Sequence, residues 1–237
     1  MYTIRPGDTL WQIARKFSTD INTIMYYNQG TDLSMIYIDQ VICIPAGDLT
    51  GAYGGDEPIS KAMLDLNNII RMLWEQHVYW TRLFIVSTVF ALPDGEMVTN
   101  RLLRNPKDFA AALTPLYGNA AASQFERLLT DHLTIAAALV SAAKRGDGAA
   151  AADAEKRWYQ NADDIASFLA GINPFWSTDQ WRKLLYDHLA MTKKEAVDFL
   201  QQDFTESITT FDAIEKEALE MADVMTSGII KQFPDLF

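Results

Sequence analysis

Apolar residues recur at three- and four-residue steps along most of the chain from Ile59 onward. This spacing places them on one face of a helix and is typical of amphipathic helices that pack together. The first run consists of Met63, Leu66, Ile70, Leu73, His77, Trp80, Phe84 and Ser87. Turn signals interrupt the pattern at Pro93-Asp94-Gly95, Asn105-Pro106, Tyr117-Gly118, Gly146-Asp147-Gly148 and Asn173-Pro174, and around Asp203. The pattern predicts an all-α, up-and-down helix bundle over residues 59–237.

Residues 1–46 follow a different pattern, which predicts a small α+β unit of order βααβ. Short strands are expected at Tyr2 to Arg5 and at Ile36 to Ile44. Helices are expected from Leu10 to Phe17 and from Ile21 to Asn28, since polar residues that cap helices precede both. Residues 47–58 contain four glycines and a proline, so we expect a flexible linker between the two parts.

The opening Tyr2-Thr3-Ile4-Arg5-Pro6-Gly7-Asp8-Thr9-Leu10-Trp11-Gln12-Ile13-Ala14 and the closing Gln40-Val41-Ile42-Cys43-Ile44-Pro45 carry a family resemblance. They resemble the LysM module, which binds N-acetylglucosamine polymers such as peptidoglycan and chitin. The resemblance implies a shallow groove between two loops, with sugar contacts from Gly7, Asp8, Thr9, Leu10, Ile36 and Tyr37. Asp8 and Thr9 can equally serve as helix caps. Ile38-Asp39 stands where the family usually has Pro-Gly, which predicts a loop of different shape.

The three histidines of the chain lie in a repeated segment of the helical region. Leu128-Leu129-Thr130-Asp131-His132-Leu133 matches Leu184-Leu185-Tyr186-Asp187-His188-Leu189 at five of six positions, and Leu73 to Val78 is a weaker copy. His77, His132 and His188 follow one another at intervals of 55 and 56 residues. This regularity predicts tandem helical hairpins that arose by internal duplication. Each histidine falls in the apolar stripe of a long helix, so we expect all three inside the bundle.

Two interpretations of these buried histidines remain open. In the first, each imidazole makes a structural hydrogen bond to a buried acid, to Asn161 or to a tyrosine hydroxyl. In the second, the histidines bind a divalent metal such as zinc, iron or manganese, together with nearby carboxylates. The candidate ligands are His77, His132, His188, Glu75, Asp163, Asp164 and Asp223.

The helical part also loosely resembles duplicated helix-bundle metalloproteins of unknown function from spore-forming Firmicutes. The residues that carry this likeness are Glu75-Gln76-His77-Val78-Tyr79-Trp80. It implies a metal site near His77. Gln76 separates the acidic residue from the histidine, whereas those proteins have the two side by side.

The net charge of −11 narrows the choice of partners. Most of it belongs to the helical region, so nucleic acids and anionic membrane surfaces are unfavourable partners. No apolar stretch approaches the ~18 residues of a membrane-spanning helix. The LysM-like pattern begins at Met1-Tyr2, so we expect a protein made without a leader or one whose leader has been removed.

These observations favour a non-catalytic protein that binds N-acetylglucosamine polymers such as peptidoglycan and tethers a helical bundle to a cell wall or spore envelope. The alternative is a metal-binding bundle, such as a ferritin-like metalloprotein or a metalloenzyme, that the first module localises. A third interpretation makes the bundle a surface for a protein partner or for self-association. A cytoplasmic location also fits a chain without a leader.

Overall fold

A computed structural model describes residues 1–6, 8–17, 19, 21–28, 31, 33, 36–44 and 59–237 of this chain. The chain divides into two compact units, Met1–Pro58 and Ile59–Phe237. The linker expected at 47–58 lies outside the described residues, as does Gly7 of the expected sugar groove.

The first unit has the expected βααβ order. It consists of β1 (Tyr2–Thr3), α1 (Leu10–Lys16), α2 (Ile21–Tyr27) and β2 (Val41–Ile42). The strands pair antiparallel, with Tyr2 opposite Ile42 and Thr3 opposite Val41. Ile4, Ile13, Ile24 and Ile42 belong to a separate small core beneath them.

Both strands are shorter than the sequence predicts. The second strand was expected from Ile36, but a turn occupies its first half, where the backbone N–H of Gln40 donates to the carbonyl of Tyr37 over 3.1 Å. Asp39 lies in this turn with a φ of 66°. A positive φ at the third turn residue is the feature for which type II turns favour glycine, and Asp is among the few other residues that tolerate it. Ile38-Asp39 therefore still supports a turn where the family usually has Pro-Gly.

The second unit is a helical bundle, as predicted. Its helices are α3 (Lys61–Phe90), α4 (Gly95–Leu102), α5 (Asn105–Lys144), α6 (Gly148–Ile172), α7 (Thr178–Leu200) and α8 (Phe204–Gln232), followed by a short 3-10 turn at Pro234–Leu236. Side chains cap four of these helices at their first turns, because each accepts a hydrogen bond from a backbone N–H three residues later. The caps are Ser60, Asp147, Ser177 and Asp203.

Gly118 divides α5 into two segments, at the break that the sequence predicts. Its φ of 76° and ψ of 167° are not helical. The bundle then contains three successive hairpins: α3 with the first segment of α5, the second segment of α5 with α6, and α7 with α8. Trp74, Trp181, Phe109 and Phe125 are fully buried in the main core that these hairpins share. No helix of the described residues is long and apolar enough to cross a membrane.

Candidate functional sites

Asp8 and Thr9, at the start of α1, have separate structural roles. The Asp8 carboxylate accepts hydrogen bonds from the Tyr2 hydroxyl at 2.7 Å and from the Arg5 backbone N–H at 2.8 Å. The Arg5 N–H, followed by the Tyr2 hydroxyl, holds the pKa of Asp8 below its ordinary value. Thr9 caps α1, since its hydroxyl accepts from the Gln12 N–H at 3.2 Å while the Gln12 side chain accepts from the Thr9 N–H at 3.0 Å. Thr9 thus takes the capping role, whereas Asp8 ties the loop to β1.

The second loop of the expected groove presents apolar surface to solvent. Tyr37 is 60% exposed and Ile38 is 59% exposed, while Ile36 packs partly against the small core. The Gln40 side chain accepts a hydrogen bond from the Tyr37 backbone N–H at 2.9 Å, which fixes the loop at this residue. Leu10, on the other loop, also packs against the core at the first residue of α1. An exposed aromatic ring on a fixed loop can pack against the face of a sugar.

The three histidines come together in the middle of the bundle. His77 on α3, His132 on α5 and His188 on α7 are each at most 2% exposed. Their ring centres lie 5.8 Å, 5.6 Å and 6.2 Å apart. One ring nitrogen from each lies within 4.8 Å of the other two. We call these three residues the histidine centre.

Each histidine is held through its Nδ1 atom by a residue on the second helical segment of its hairpin. His77 contacts the Asn105 side-chain oxygen at 3.2 Å, and His132 contacts that of Asn161 at 3.1 Å. His188 contacts a carboxylate oxygen of Glu217 at 3.2 Å. These partners follow their histidines by 28, 29 and 29 residues.

The partners determine which ring nitrogen carries the proton. The amide nitrogen of Asn105 donates to the Leu73 carbonyl at 2.9 Å, and that of Asn161 donates to the Leu128 carbonyl at 3.0 Å. Their side-chain oxygens therefore face the imidazoles as acceptors, and a carboxylate at Glu217 accepts in the same way. We assign a proton to Nδ1 in all three rings, so that a ring in its neutral form carries its lone pair on Nε2.

Burial keeps the two asparagine-bound imidazoles uncharged. Burial, reinforced by repulsion from His188, lowers the pKa of His77 to about 3. Burial also lowers the pKa of His132 well below its ordinary value, and His77 and His188 add to this effect. A neutral imidazole with a free Nε2 is the form that binds transition metals. One carboxylate oxygen of Glu217 is also buried, with no hydrogen-bond partner among the described residues.

The structure does not bring the four expected carboxylate ligands to the histidine centre. Glu75 is exposed, and Asp164, also exposed, accepts a hydrogen bond from Gln160. Asp163 pairs with Arg182 at 2.7 Å, and Asp223 pairs with Arg71 at 2.6 Å.

Helical phase explains the positions of Glu75 and Asp163. Each residue turns the helix by about 100°, so positions two residues apart lie on nearly opposite faces. Glu75 stands two residues before His77, and Asp163 stands two residues after Asn161. Glu75 and Asp163 consequently face away from the histidine centre, which His77 forms and Asn161 contacts.

Sequence reasoning considered Asn161 as a partner but missed Asn105 and Glu217. A signal was present, because Asn105, Asn161 and Glu217 follow one another at intervals of 56 residues, almost the interval of the histidines. The third position carries a different residue type, which hides the repeat from a search for identical segments.

Comparison with known proteins identifies the first unit. Residues 2–45 match the model of the LysM domain. These residues are a LysM domain, and the domain supports binding to peptidoglycan or chitin-type polymers and association with the cell wall. No curated protein and no solved structure matches the chain. The resemblance of the helical unit to metalloproteins of spore-forming bacteria has no support from these comparisons.

Proposed function

We propose that this chain is a non-catalytic binding protein whose LysM domain attaches a helical bundle to an N-acetylglucosamine polymer. The observation that carries the proposal is the LysM match over residues 2–45. The proposed organisation is a carbohydrate-binding module at residues 1–46, a linker at 47–58 and a bundle at 59–237. The proposed setting is the peptidoglycan of a cell wall or spore envelope, where the bundle could meet a protein partner or a second copy.

The sugar contacts that we propose involve Tyr37, Ile36 and the backbone around Thr9 and Leu10. Tyr37 supports this assignment because its ring is exposed while its backbone is fixed by Gln40. Because the backbone at Tyr37 is already fixed, less conformational freedom is lost when the ring packs on a sugar. Asp8 contributes indirectly in this proposal, since its carboxylate already binds Tyr2 and Arg5.

Titration of the whole chain with chitin oligomers in a calorimeter tests the proposal. We expect Tyr37→Ala to weaken binding about tenfold, which corresponds to ~1.4 kcal/mol. Tyr26→Ala is the matched control, because Tyr26 is a comparably exposed tyrosine, at 66%, on α2. The proposal fails if the chain binds neither chitin oligomers at millimolar concentration nor insoluble peptidoglycan. Equal losses in the two variants would contradict the assignment to Tyr37.

A second candidate function concerns the bundle, where we propose one transition-metal ion bound by Nε2 of His77, His132 and His188. The convergence of three buried imidazoles, two of them held neutral by burial, supports it. Metal-ligating histidines usually donate their other ring N–H to a carboxylate or carbonyl, and Asn105, Asn161 and Glu217 occupy that role here. Ligand nitrogens of a tetrahedral zinc site are about 3.4 Å apart at Zn–N lengths of ~2.1 Å, so the rings would draw together on binding.

Nitrogen ligands suit zinc, iron or manganese, and three protein ligands leave a coordination position open. The competing interpretation is a purely structural hydrogen-bond network, which the same side chains would also form.

Related positions of the three histidines and their partners further support an origin of the hairpins by duplication.

Metal analysis after chelation and reloading separates the two interpretations of the histidine centre. We expect about one ion per chain in the native protein and loss of binding in His132→Ala. Asp164→Ala is the control, because this exposed carboxylate was a candidate ligand that lies away from the centre. If the native chain takes up no zinc, iron or manganese, the histidine centre is a structural hydrogen-bond network.

A further inference from the structure

A cavity of about 230 Å³ lies between α3, α5, α6 and α7, one helical turn beyond the histidine centre. Thr81, Ala136 and Thr192 line it, and each follows a histidine of the centre by four residues. Trp158 also lines the cavity, and its ring centre is 5.4 Å from that of His132. Since four residues span about 6 Å of helix, the inner end of this chamber lies close to the imidazoles.

The walls of the chamber are mostly apolar. They include Phe84, Ile85, Leu133, Val140, Ala196 and Leu200. Gly148, Ala151 and Ala152 form part of the α6 side, so the alanine-rich start of this helix also creates space. Ala151 is the half-buried member of the three, so a larger side chain there would reduce the space in the chamber.

Two polar features on the wall of the chamber could contact a polar group of a ligand. Thr192 is 4% exposed, and its hydroxyl has no hydrogen-bond partner among the described residues. The Thr81 hydroxyl, by contrast, already donates to the His77 carbonyl at 2.7 Å. Lys193 and Glu155 also line the chamber, as a partly exposed ion pair with a separation of 2.6 Å.

We propose that this chamber binds a small, predominantly apolar molecule that carries one hydrogen-bonding group, with that group directed to the Thr192 hydroxyl. The size suffices, because an apolar cavity of ~150 Å³ already accommodates benzene. An unpaired buried hydroxyl is unfavourable, so a ligand that pairs with it gains affinity over one that cannot. The proposal extends the metal-binding candidate by placing a ligand pocket beside the histidine centre, but binding in the chamber requires no metal.

Calorimetric titration of the whole chain, first stripped of metal with a chelator, tests the proposal with two probes. Benzyl alcohol has an aromatic ring and one hydroxyl, whereas toluene has the ring alone. We expect saturable one-to-one binding of both, with benzyl alcohol at least threefold tighter. Thr192→Val has nearly the same shape and should abolish that preference. A preference that persists in Thr192→Val would overturn the assignment to this hydroxyl.

Blocking the chamber gives an independent measurement. Ala151→Leu places a larger side chain on its wall and should weaken both probes at least tenfold. Ala149→Leu is the matched control, since Ala149 is exposed on the same helix and does not line the chamber. Circular dichroism establishes that both variants fold. Absence of saturable binding to the native chain, or equal binding by folded Ala151→Leu, would overturn the proposal.

These titrations, together with the metal analysis of the chain, distinguish this proposal from the metal-binding candidate. If the chain takes up no metal but binds the probes with the expected variant effects, only the metal candidate fails. If metal binds and the probes do not, only the chamber proposal fails.

Discussion

Each imidazole of the histidine centre depends for its orientation on one residue of the second helical segment of its hairpin. Asn105, Asn161 and Glu217 supply the acceptor for Nδ1, and the two asparagines are themselves fixed by backbone carbonyls. The sequence predicts that the histidines lie inside the bundle, because they occupy the apolar stripes of long helices. It does not reveal their partners, because those depend on where each hairpin turns and on the rotation of the returning helix.

Substitution of Glu217 tests whether a hydrogen-bond acceptor for His188 strengthens metal binding at the histidine centre. Glu217→Gln keeps an oxygen that can accept from Nδ1 of His188, whereas Glu217→Leu removes it. We expect Leu to weaken metal binding about 10–100-fold, as is typical when such a partner is lost, and Gln to weaken it much less. Competition with a chelating dye measures both affinities. Equal, large losses in the two variants would indicate that the negative charge matters more than the hydrogen bond.

Acidification should destabilise the metal-free bundle through His77 and His132, whose pKa values are lowered in the folded state. His77 takes up a proton near pH 6.5 when unfolded but resists until about pH 3 when folded. Stability from this neutral imidazole is fully present above pH 6.5 and is lost as the pH falls towards 3. The loss is about 1.4 kcal/mol per pH unit for each such histidine.

Urea unfolding of the chelated protein between pH 7 and 4 measures this slope. His77→Gln cannot take up a proton at this position and should reduce the slope, while the acidic residues of the chain contribute equally to both proteins. An unchanged slope in His77→Gln would show that His77 is not held neutral in the folded state.

At the scale of elements, the helix boundaries were the most predictable feature and the packing between helices the least. Turn residues predict where helices break, as at Gly118 within α5 and at Asn173-Pro174 between α6 and α7. The second strand is shorter than predicted because the turn that ends at Gln40 interrupts the apolar run. No local pattern indicates that Gly228 on α8 faces Trp176, since the two are distant in sequence.

The close approach of Trp176 to α8 requires glycine at position 228. The Trp176 indole N–H donates to the Val224 carbonyl at 3.2 Å, one turn before Gly228. A Cβ at position 228 would lie 1.9 Å from the indole nitrogen. Gly228→Ala should therefore destabilise the bundle by ~1–3 kcal/mol, since the buried ring has to shift.

Gly171→Ala on α6 is the matched control, because a Cβ there meets nothing within 4 Å. Alanine favours helix over glycine, so this variant should be neutral or more stable by up to ~1 kcal/mol. Thermal and urea unfolding compare the two. A Gly228→Ala protein as stable as the native chain would show that the indole moves aside easily.

For the whole molecule, the change in hydrophobic pattern near residue 59 was the informative signal. It predicts a division between a small α+β unit and a helical bundle, and the chain divides into compact units at Pro58 and Ile59. Each unit has its own apolar core. The sequence pattern carries a specific functional prediction only for the LysM domain, because that motif places particular residues in known loops. The pattern of the bundle predicts only which residues are buried, and helical bundles with many different functions have such a pattern.

Because the two cores are separate and residues 47–58 are rich in glycine, we expect the two units to fold independently. A fragment of residues 59–237 should keep the helical circular dichroism of the bundle and unfold within about 2 °C of the helical transition of the whole chain, since a 1 kcal/mol loss would lower the midpoint by roughly 2–4 °C in a domain of this size. The whole chain should sediment with insoluble peptidoglycan, and the fragment should stay in the supernatant.

Limited proteolysis supplies the complementary measurement, with the first cleavage expected between residues 47 and 58. Lower stability of the isolated bundle, together with protease resistance of that segment, would indicate that the LysM domain packs against the bundle.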